Sequence, residues 1–271
     1  MARAAAAPVE FLGRRALAAV TQIGAATLLF ATTLRWVWRG LTAPRVRLGR
    51  PAIITQLVRI GARSVFIVSL VSACVGLILA FQLAPPLDQF GQKELVANII
   101  VIAVLRELGP LIAAIVLTGF AGASIAAEIG TMVVNEEVEA LEAHALDPVR
   151  FLVVPRVVAS IVSMTVLAVI SDVVAVLAAL GIAMVALEIP YATFVSNMLD
   201  QAKPVDFTTG LFKGTVFGML IGLIACVNGL RVSGGAAGVG RATTGTVVQC
   251  VVAIVIADLA FTAVFYALKL V

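Results

Sequence analysis

Residues 128–156 read EIGTMVVNEEVEALEAHALDPVRFLVVPR, an acidic segment set between two long apolar runs. Four glutamates, Glu136, Glu137, Glu139 and Glu142, lie within seven residues of a chain that is 62% hydrophobic. An ionised carboxylate is strongly disfavoured in hydrocarbon, so this segment must leave the membrane. We therefore expect a short charged helix at the surface, between two membrane spans, where it can meet a soluble partner.

Composition fixes the fold class. Mean hydropathy is +1.12, and only 13% of the residues are charged, too few to cover the surface of a soluble domain of 271 residues. The apolar runs suit helices of roughly 20 residues better than barrel strands of roughly 10. The sequence predicts an all-α polytopic membrane protein with spans at residues 65–84, 95–127, 149–187, 207–230 and 246–268.

The N-terminal region, residues 1–63, differs in composition from the remainder, residues 64–271, which contains the five predicted spans. Residues 16–34 are apolar but rich in Ala and Thr, and Trp36 and Trp38 follow them closely. Tryptophan beside arginine is typical of the headgroup zone. Residues 16–34 could form a sixth span, but we favour a helix that lies in the interface.

Arginine is distributed unevenly along the chain. Ten arginines fall within residues 1–63 against one acid, Glu10. The positive-inside rule then places the N-terminus, the acidic helix and the glycine-rich loop at 231–241 in the cytoplasm. A sixth span would put Arg3, Arg14 and Arg15 outside, which the rule disfavours.

The acidic segment has the features of an amphipathic helix over about residues 135–146. Asn135 is a suitable N-cap, and Val138, Leu141 and Ala145 recur at helical spacing as an apolar edge. A solvated linker is one interpretation. A docking helix for a soluble partner is the other, and we favour it because a linker would not need an apolar edge.

Besides Arg150 and Arg156, near the start of the third span, five charged residues fall inside the predicted spans: Arg106, Glu107, Asp172, Lys213 and Asp258. Buried charges need partners or water. By sign and depth we expect Arg106 to pair with Asp258, and Glu107 with Lys213. The cluster is either an ion-pair network that fixes helix register or the polar lining of a cavity. We interpret Asp172 as structural.

Glycines suggest packing and a turn. Gly214, Gly218 and Gly222 share one face of the fourth span, which allows close helix contact. Residues 231–245 are predicted to form a tight turn. Gly235 and Gly240 match the spacing of a phosphate-binding loop, but Arg241 and Ala242 follow where that loop needs Lys and Ser or Thr. We expect the chain to bind no nucleotide or other cofactor.

Taken together, these segments resemble the MlaE/YrbE family of lipid-transporting ABC permeases, over about residues 50–271. The matching stretches are Phe81-Gln82, Phe90-Gly91, Arg106 to Pro110, Ala127 to Met132, Glu136 to Leu141, Asp147-Pro148, Pro155-Arg156, Gly234 to Thr244, and Asp258. The chain departs from the family at Phe120, where Arg is usual, and at Ala145, where Gly is usual.

The resemblance implies five spans after an interfacial helix, a homodimer in the bacterial inner membrane, and phospholipid or a related lipid as substrate. It implies an ABC ATPase subunit, carrying ATP and Mg²⁺, that docks on a coupling helix, and an MCE-domain protein and a STAS-domain protein as further partners. The residues it assigns to coupling are Glu128, Glu136, Glu137, Glu139, Leu141 and Glu142. Those it assigns to substrate are Arg106, Glu107, Lys213 and Asp258.

Three other classes were weighed. An ion- or proton-coupled secondary transporter could use Asp172 and Asp258, but such folds commonly contain internal repeats, and we find none. An intramembrane enzyme is disfavoured because His144, the single histidine, lies on the acidic helix. Nucleic-acid binding is disfavoured because the basic residues do not cluster on a soluble face.

Overall fold

A computed structural model describes residues 2–42 and 50–269, and all the regular elements among them are helical. The side chains of Arg3, Arg14 and Arg15, on which the orientation argument draws, lie outside the described set. The helices are α1 (Ala2–Thr42), α2 (Pro51–Gln89), α3 (Lys93–Val134), α4 (Glu137–Ala143), α5 (Val149–Val185), α6 (Tyr191–Gln201), α7 (Pro204–Leu230) and α8 (Gly235–Ala267).

Within the described residues, five helices are long and apolar enough to cross a membrane: α2, α3, α5, α7 and α8. The prediction of an all-α, five-span protein is therefore confirmed. The spans are longer than predicted because helical structure continues past the apolar runs. Residues 51–63, for example, form the first part of α2.

The centre of the bundle is built where α5 meets α7 and α2. The glycine face predicted on α7 packs against α5. A methyl group on Gly218 would lie 2.6 Å from the Ser160 carbonyl oxygen, and one on Gly222 would lie 3.1 Å from the Cα of Val157. The glycines let the two backbones approach closely, as predicted, and the structure identifies the partner helix.

The bundle has two ends. We call the end with residues 135–148 and the turn at 231–234 the acidic end, and the end with residues 90–92 and 186–203 the opposite end. At the opposite end lies α6, which the sequence analysis missed. Its Phe194 is fully buried, and the Asn197 side-chain amide donates to the Glu94 carbonyl at 2.9 Å. A short amphipathic pattern after Pro190 was the signal.

The glycine-rich stretch is shorter as a turn than predicted. Only residues 231–234 form the connection, and α8 begins at Gly235. Gly234 adopts a positive φ of 85°, which glycine tolerates without strain, so the chain reverses within a few residues. The prediction of a turn over 231–245 was wrong because the remaining glycines are accommodated within the helix.

Helix α1 runs along the acidic end of the bundle. The Gln22 side-chain amide donates to Asn228 Oδ1 at 2.6 Å, and Trp36 Nε1 donates to Asp147 Oδ2 at 2.9 Å. Both partners lie at the acidic end, although Gln22 and Trp36 are separated by about 21 Å of helix. Helix α1 therefore lies against the acidic end of the bundle, and its place in the membrane interface stays a prediction.

Among residues 50–269, wide π-helical turns lie within the long helices at Leu57–Gly61, Val104–Leu108 and Thr118–Gly122, and another begins α5 at Val149–Val153. The second contains Arg106 and Glu107. Pro110 follows that turn and has no N–H to donate to the carbonyl of residue 106, which favours the wider turn. Such turns are common at functional sites.

Candidate functional site

Lys213 is the centre of a charged network inside the bundle. It is fully buried on α7, and its Nζ lies 2.6 Å from Glu107 Oε2 on α3. The predicted Glu107–Lys213 pair is therefore confirmed. The residues meet because both helices start at the opposite end, where Lys213 lies about 13 Å into α7.

Asp258 and Thr262 of α8 complete the shell around Lys213. Lys213 Nζ donates to Asp258 Oδ1 and to Thr262 Oγ1, both at 2.9 Å. The Thr262 hydroxyl also lies 2.9 Å from Glu107 Oε1. All three ammonium protons therefore have an acceptor, and three helices are tied together through one side chain.

Arg106 pairs with Asp206 instead of Asp258, so the predicted Arg106–Asp258 pair is wrong. Arg106 Nε lies 2.6 Å from Asp206 Oδ1, and Asp206 is buried in the first turn of α7. Asp206 Oδ2 also accepts from the Lys203 backbone amide at 3.0 Å. The overlooked signal was an acid three residues after Lys203, in a segment where Pro204 marks the start of a helix.

Part of this network is open on the surface of the single chain. The exposed fraction of the side chain is 35% for Glu107, 20% for Arg106 and 16% for Asp258. Arg106 Nε donates to Asp206, but the two terminal nitrogens of the Arg106 guanidinium have no hydrogen-bond partner among the described residues. Because ionised groups cannot face acyl chains cheaply, this surface needs water, a ligand or a second chain.

Asp172 occupies a separate environment in the middle of α5. It is buried, and its Oδ1 packs against the backbone of Gly109 without a hydrogen-bond partner in the described structure. Its neighbour Ser171 donates to the Gly109 carbonyl at 3.0 Å. Asp258, by contrast, belongs to the Lys213 network. The two carboxylates considered for a secondary transporter thus lie in different environments, and of the two only Asp258 has an ion-pair partner within the described structure.

At the acidic end, α4 presents exposed carboxylates between α3 and α5. Its described helix is Glu137–Ala143, shorter than the predicted 135–146. Asn135 was wrongly predicted as the N-cap. It ends α3, and Glu136 occupies the cap with a left-handed φ of 59°. Glu136, Glu137, Glu139 and Glu142 are exposed, while Val138 and Leu141 are half-buried. The predicted apolar edge is confirmed at Val138 and Leu141 but wrong at Ala145, which is exposed and lies beyond the end of the helix.

A Schellman motif ends α4. The Leu146 amide donates to the Leu141 carbonyl and the Ala145 amide to the Glu142 carbonyl, both at 2.9 Å. Ala145 adopts a left-handed φ of 57°. This conformation suits glycine, the residue that the resemblance leads one to expect at this position.

Glu128 does not share the surface of α4. Its Oε2 lies 2.9 Å from Arg59 on α2, and its Oε1 lies 3.0 Å from the buried Arg156 on α5. It therefore ties three helices together behind the acidic helix, so a part in coupling would be indirect. Glu128 was grouped with the exposed acids by family resemblance, which carries no information on side-chain partners.

The family model described as "Permease MlaE" matches residues 53–264, a span that contains the Lys213 network and α4. The chain belongs to the MlaE permease family. A probable ABC transporter permease protein of Rickettsia prowazekii is 37% identical over 214 residues, covering 79% of this chain and 83% of the relative. One from Synechocystis is 34% identical over 212 residues, covering 78% and 81%.

A plant protein is also similar to this chain. The chloroplastic protein TRIGALACTOSYLDIACYLGLYCEROL 1 of Arabidopsis thaliana is 32% identical over 249 residues, covering 86% of this chain and 69% of the relative. Membership of the MlaE family makes this chain an ABC-type permease subunit embedded in a membrane by several spans.

Proposed function

We propose that this MlaE-family permease moves phospholipids or related lipids between membranes, with ATP and Mg²⁺ bound by a separate ATPase subunit. The observation that carries the lipid assignment is the half-open charged network around Arg106 and Glu107. The name of the Arabidopsis relative, which refers to a galactosyl diacylglycerol, points toward the same chemical class.

Arg106 is the side chain best suited to meet a lipid headgroup. Its Nε is held by Asp206, which fixes the guanidinium in place, while its terminal amino groups have no partner among the described residues. A planar guanidinium can bind two phosphate oxygens at once. Lys213 is buried and fully engaged, so we assign Lys213, Glu107 and Asp258 to shaping the polar surface beside Arg106.

A homodimer would explain the surface that the single chain leaves open. Only 11% of the apolar 18-residue stretch of α8 is buried within the single chain, and Asp258 lies on this helix. A second copy would cover charges that otherwise face lipid, and a cavity between two copies could admit a headgroup and water. We therefore propose that the transport path lies between two copies.

We propose that the ATPase docks on α4. The exposed glutamates form an acidic surface, and the half-buried Val138 and Leu141 hold the helix against the membrane domain. If the ATPase binds there, the acidic end and α1 lie on the cytoplasmic side of a bacterial inner membrane. An MCE-domain protein would then meet the opposite end, and a STAS-domain protein would bind on the ATPase side.

The lipid assignment is tested by Arg106→Ala in the reconstituted complex with its ATPase and MCE partner. We expect lipid transfer to fall roughly tenfold, the effect of losing a hydrogen-bonded charge. Lys203→Ala removes a nearby exposed positive charge but keeps the backbone amide that donates to Asp206, and it should leave transfer unchanged. Normal transfer by Arg106→Ala would refute the headgroup role. Transfer driven by a proton gradient without ATPase would favour the secondary transporter.

The docking assignment is tested by charge reversal at Glu137 and Glu139. We expect the Glu137→Lys/Glu139→Lys variant to remain folded in the membrane but to lose co-purification with the ATPase. Asp88→Lys reverses an exposed acid at the opposite end and should leave co-purification intact. ATPase retention equal in the two variants would exclude α4 as the docking site.

A further inference from the structure

A groove with both polar and apolar lining lies at the acidic end, between α2 and α3 and away from the Lys213 network. It has a volume of about 400 Å³. It is lined by Arg59, Ser124, Ala127, Glu128, Thr131 and Met132. The proposed transport path does not use it.

The ion pairs at this groove leave one positive charge uncompensated. Glu128 is shared by two arginines, with Arg59 at 2.9 Å and Arg156 at 3.0 Å. Arg156 is buried, whereas 43% of the Arg59 side chain is exposed. Arg59 uses one terminal nitrogen on Glu128, and its remaining N–H groups have no partner among the described residues. The groove therefore offers guanidinium donors to an anion.

A free hydroxyl lies deeper in the same groove. Ser124 precedes Glu128 by one helical turn, and its hydroxyl makes no hydrogen bond within the described part of the chain. The Thr131 hydroxyl is already committed to the Ala127 carbonyl at 2.8 Å. Because α3 reaches the acidic end at Val134, Ser124 lies about 6 Å further into the membrane than Glu128.

We propose that this groove binds an anionic phospholipid of the leaflet at the acidic end. The phosphate lies against Arg59, and an ester carbonyl accepts from Ser124. A lipid fits better than a free phosphate because the charged donor is at the membrane surface and the hydroxyl lies deeper, in the order in which a phospholipid presents its phosphate and esters. Basic pockets between membrane helices bind anionic headgroups in this way. The proposal does not require that the bound lipid is transported.

The test is native mass spectrometry of the full chain released from nanodiscs that contain equal amounts of phosphatidylglycerol and phosphatidylcholine. The wild type should retain phosphatidylglycerol preferentially. Arg59→Gln should lower the ratio of retained phosphatidylglycerol to retained phosphatidylcholine roughly tenfold. Arg63→Gln removes the same charge one turn further along α2, outside the groove, and should leave the ratio unchanged.

Two more variants separate binding from stability. Glu128→Gln releases Arg59 from its carboxylate and should raise the ratio of retained phosphatidylglycerol to phosphatidylcholine. If the ion pair were merely structural, Arg59→Gln and Glu128→Gln would both lower that ratio. Arg59→Lys keeps the charge and should retain most of the preference even if Arg59→Gln folds poorly. Equal retention of the two lipids by the wild type, or displacement of phosphatidylglycerol by excess inorganic phosphate, would overturn the proposal.

Discussion

Arg106 and Asp206 form an ion pair between α3 and α7, with Arg106 Nε 2.6 Å from Asp206 Oδ1. Asp206 Oδ2 meanwhile accepts from the Lys203 backbone amide. One carboxylate thus both caps α7 and holds the guanidinium that we assign to the headgroup. The start of α7 and the position of Arg106 are consequently linked.

A double-mutant cycle tests this pairing. The coupling energy between Arg106→Gln and Asp206→Asn should be about 1–3 kcal/mol, because the two side chains share a partly buried hydrogen bond. The same cycle with Asp258→Asn serves as the comparison and should give a clearly smaller value. Thermal or denaturant unfolding in nanodiscs measures both. A larger coupling to Asp258 would restore the pairing expected from the sequence.

Replacing Ala145 by glycine should stabilise the acidic helix. A left-handed alanine is strained by about 1–2 kcal/mol, and glycine removes that strain at a smaller entropic cost, for a net gain of about 1 kcal/mol. Hydrogen exchange at the amides of residues 138–144 should slow accordingly. Ala143→Gly, in the last helical position, is the control and should speed exchange. Slower exchange in both variants would contradict this account of the cap.

Two glycine-to-alanine changes should have opposite signs. In Gly218→Ala the new methyl would lie 2.7 Å from Met164 Cβ and 2.6 Å from a backbone oxygen, so α5 and α7 must separate. We expect a loss of about 1–3 kcal/mol. Gly181 has open space around it, and Gly181→Ala should stabilise by about 0.5–1 kcal/mol. Unfolding midpoints report both, and equal shifts would refute the packing argument.

Trp36→Phe should loosen α1 at the acidic end. The change removes the hydrogen bond to Asp147 but keeps a ring near Arg39 and Arg150, whose guanidinium carbons lie 5.6 and 5.3 Å from the Trp36 ring centre. Losing a bond to a carboxylate is worth about 1–2 kcal/mol, so hydrogen exchange near residue 36 should rise roughly tenfold. Trp38→Phe alters an exposed ring and should have little effect. Unchanged exchange in Trp36→Phe would show that α1 is held elsewhere.

The features that follow from local composition were predictable. The five spans follow from runs of apolar residues, and the acidic surface helix follows from carboxylates that cannot enter hydrocarbon. Glu107 and Lys213 could be paired because their signs are opposite and both lie a similar distance from the opposite end. Each of these predictions depends only on how far along its helix a residue lies, and not on the direction in which its side chain points.

The features that depend on rotation about a helix axis were not predictable. Asp206 was overlooked because it lies just before the predicted start of its span, yet it faces Arg106 across the bundle. The π turn at Val104–Leu108 changes the direction of the side chains that follow, and a hydropathy pattern does not show it. Likewise, Glu128 looks like its exposed neighbours in sequence, and only its two arginine partners reveal that it faces inward.

The saturation of Lys213 has a consequence for any anion that approaches it. Since each ammonium proton is already accepted by Glu107, Asp258 or Thr262, a newcomer can bind only by exchange, evicting one of them. An evicted carboxylate would carry an unbalanced negative charge beside the newcomer and drive it out again. An anion that reaches Lys213 should therefore bind weakly and dissociate quickly, as transport requires and storage does not.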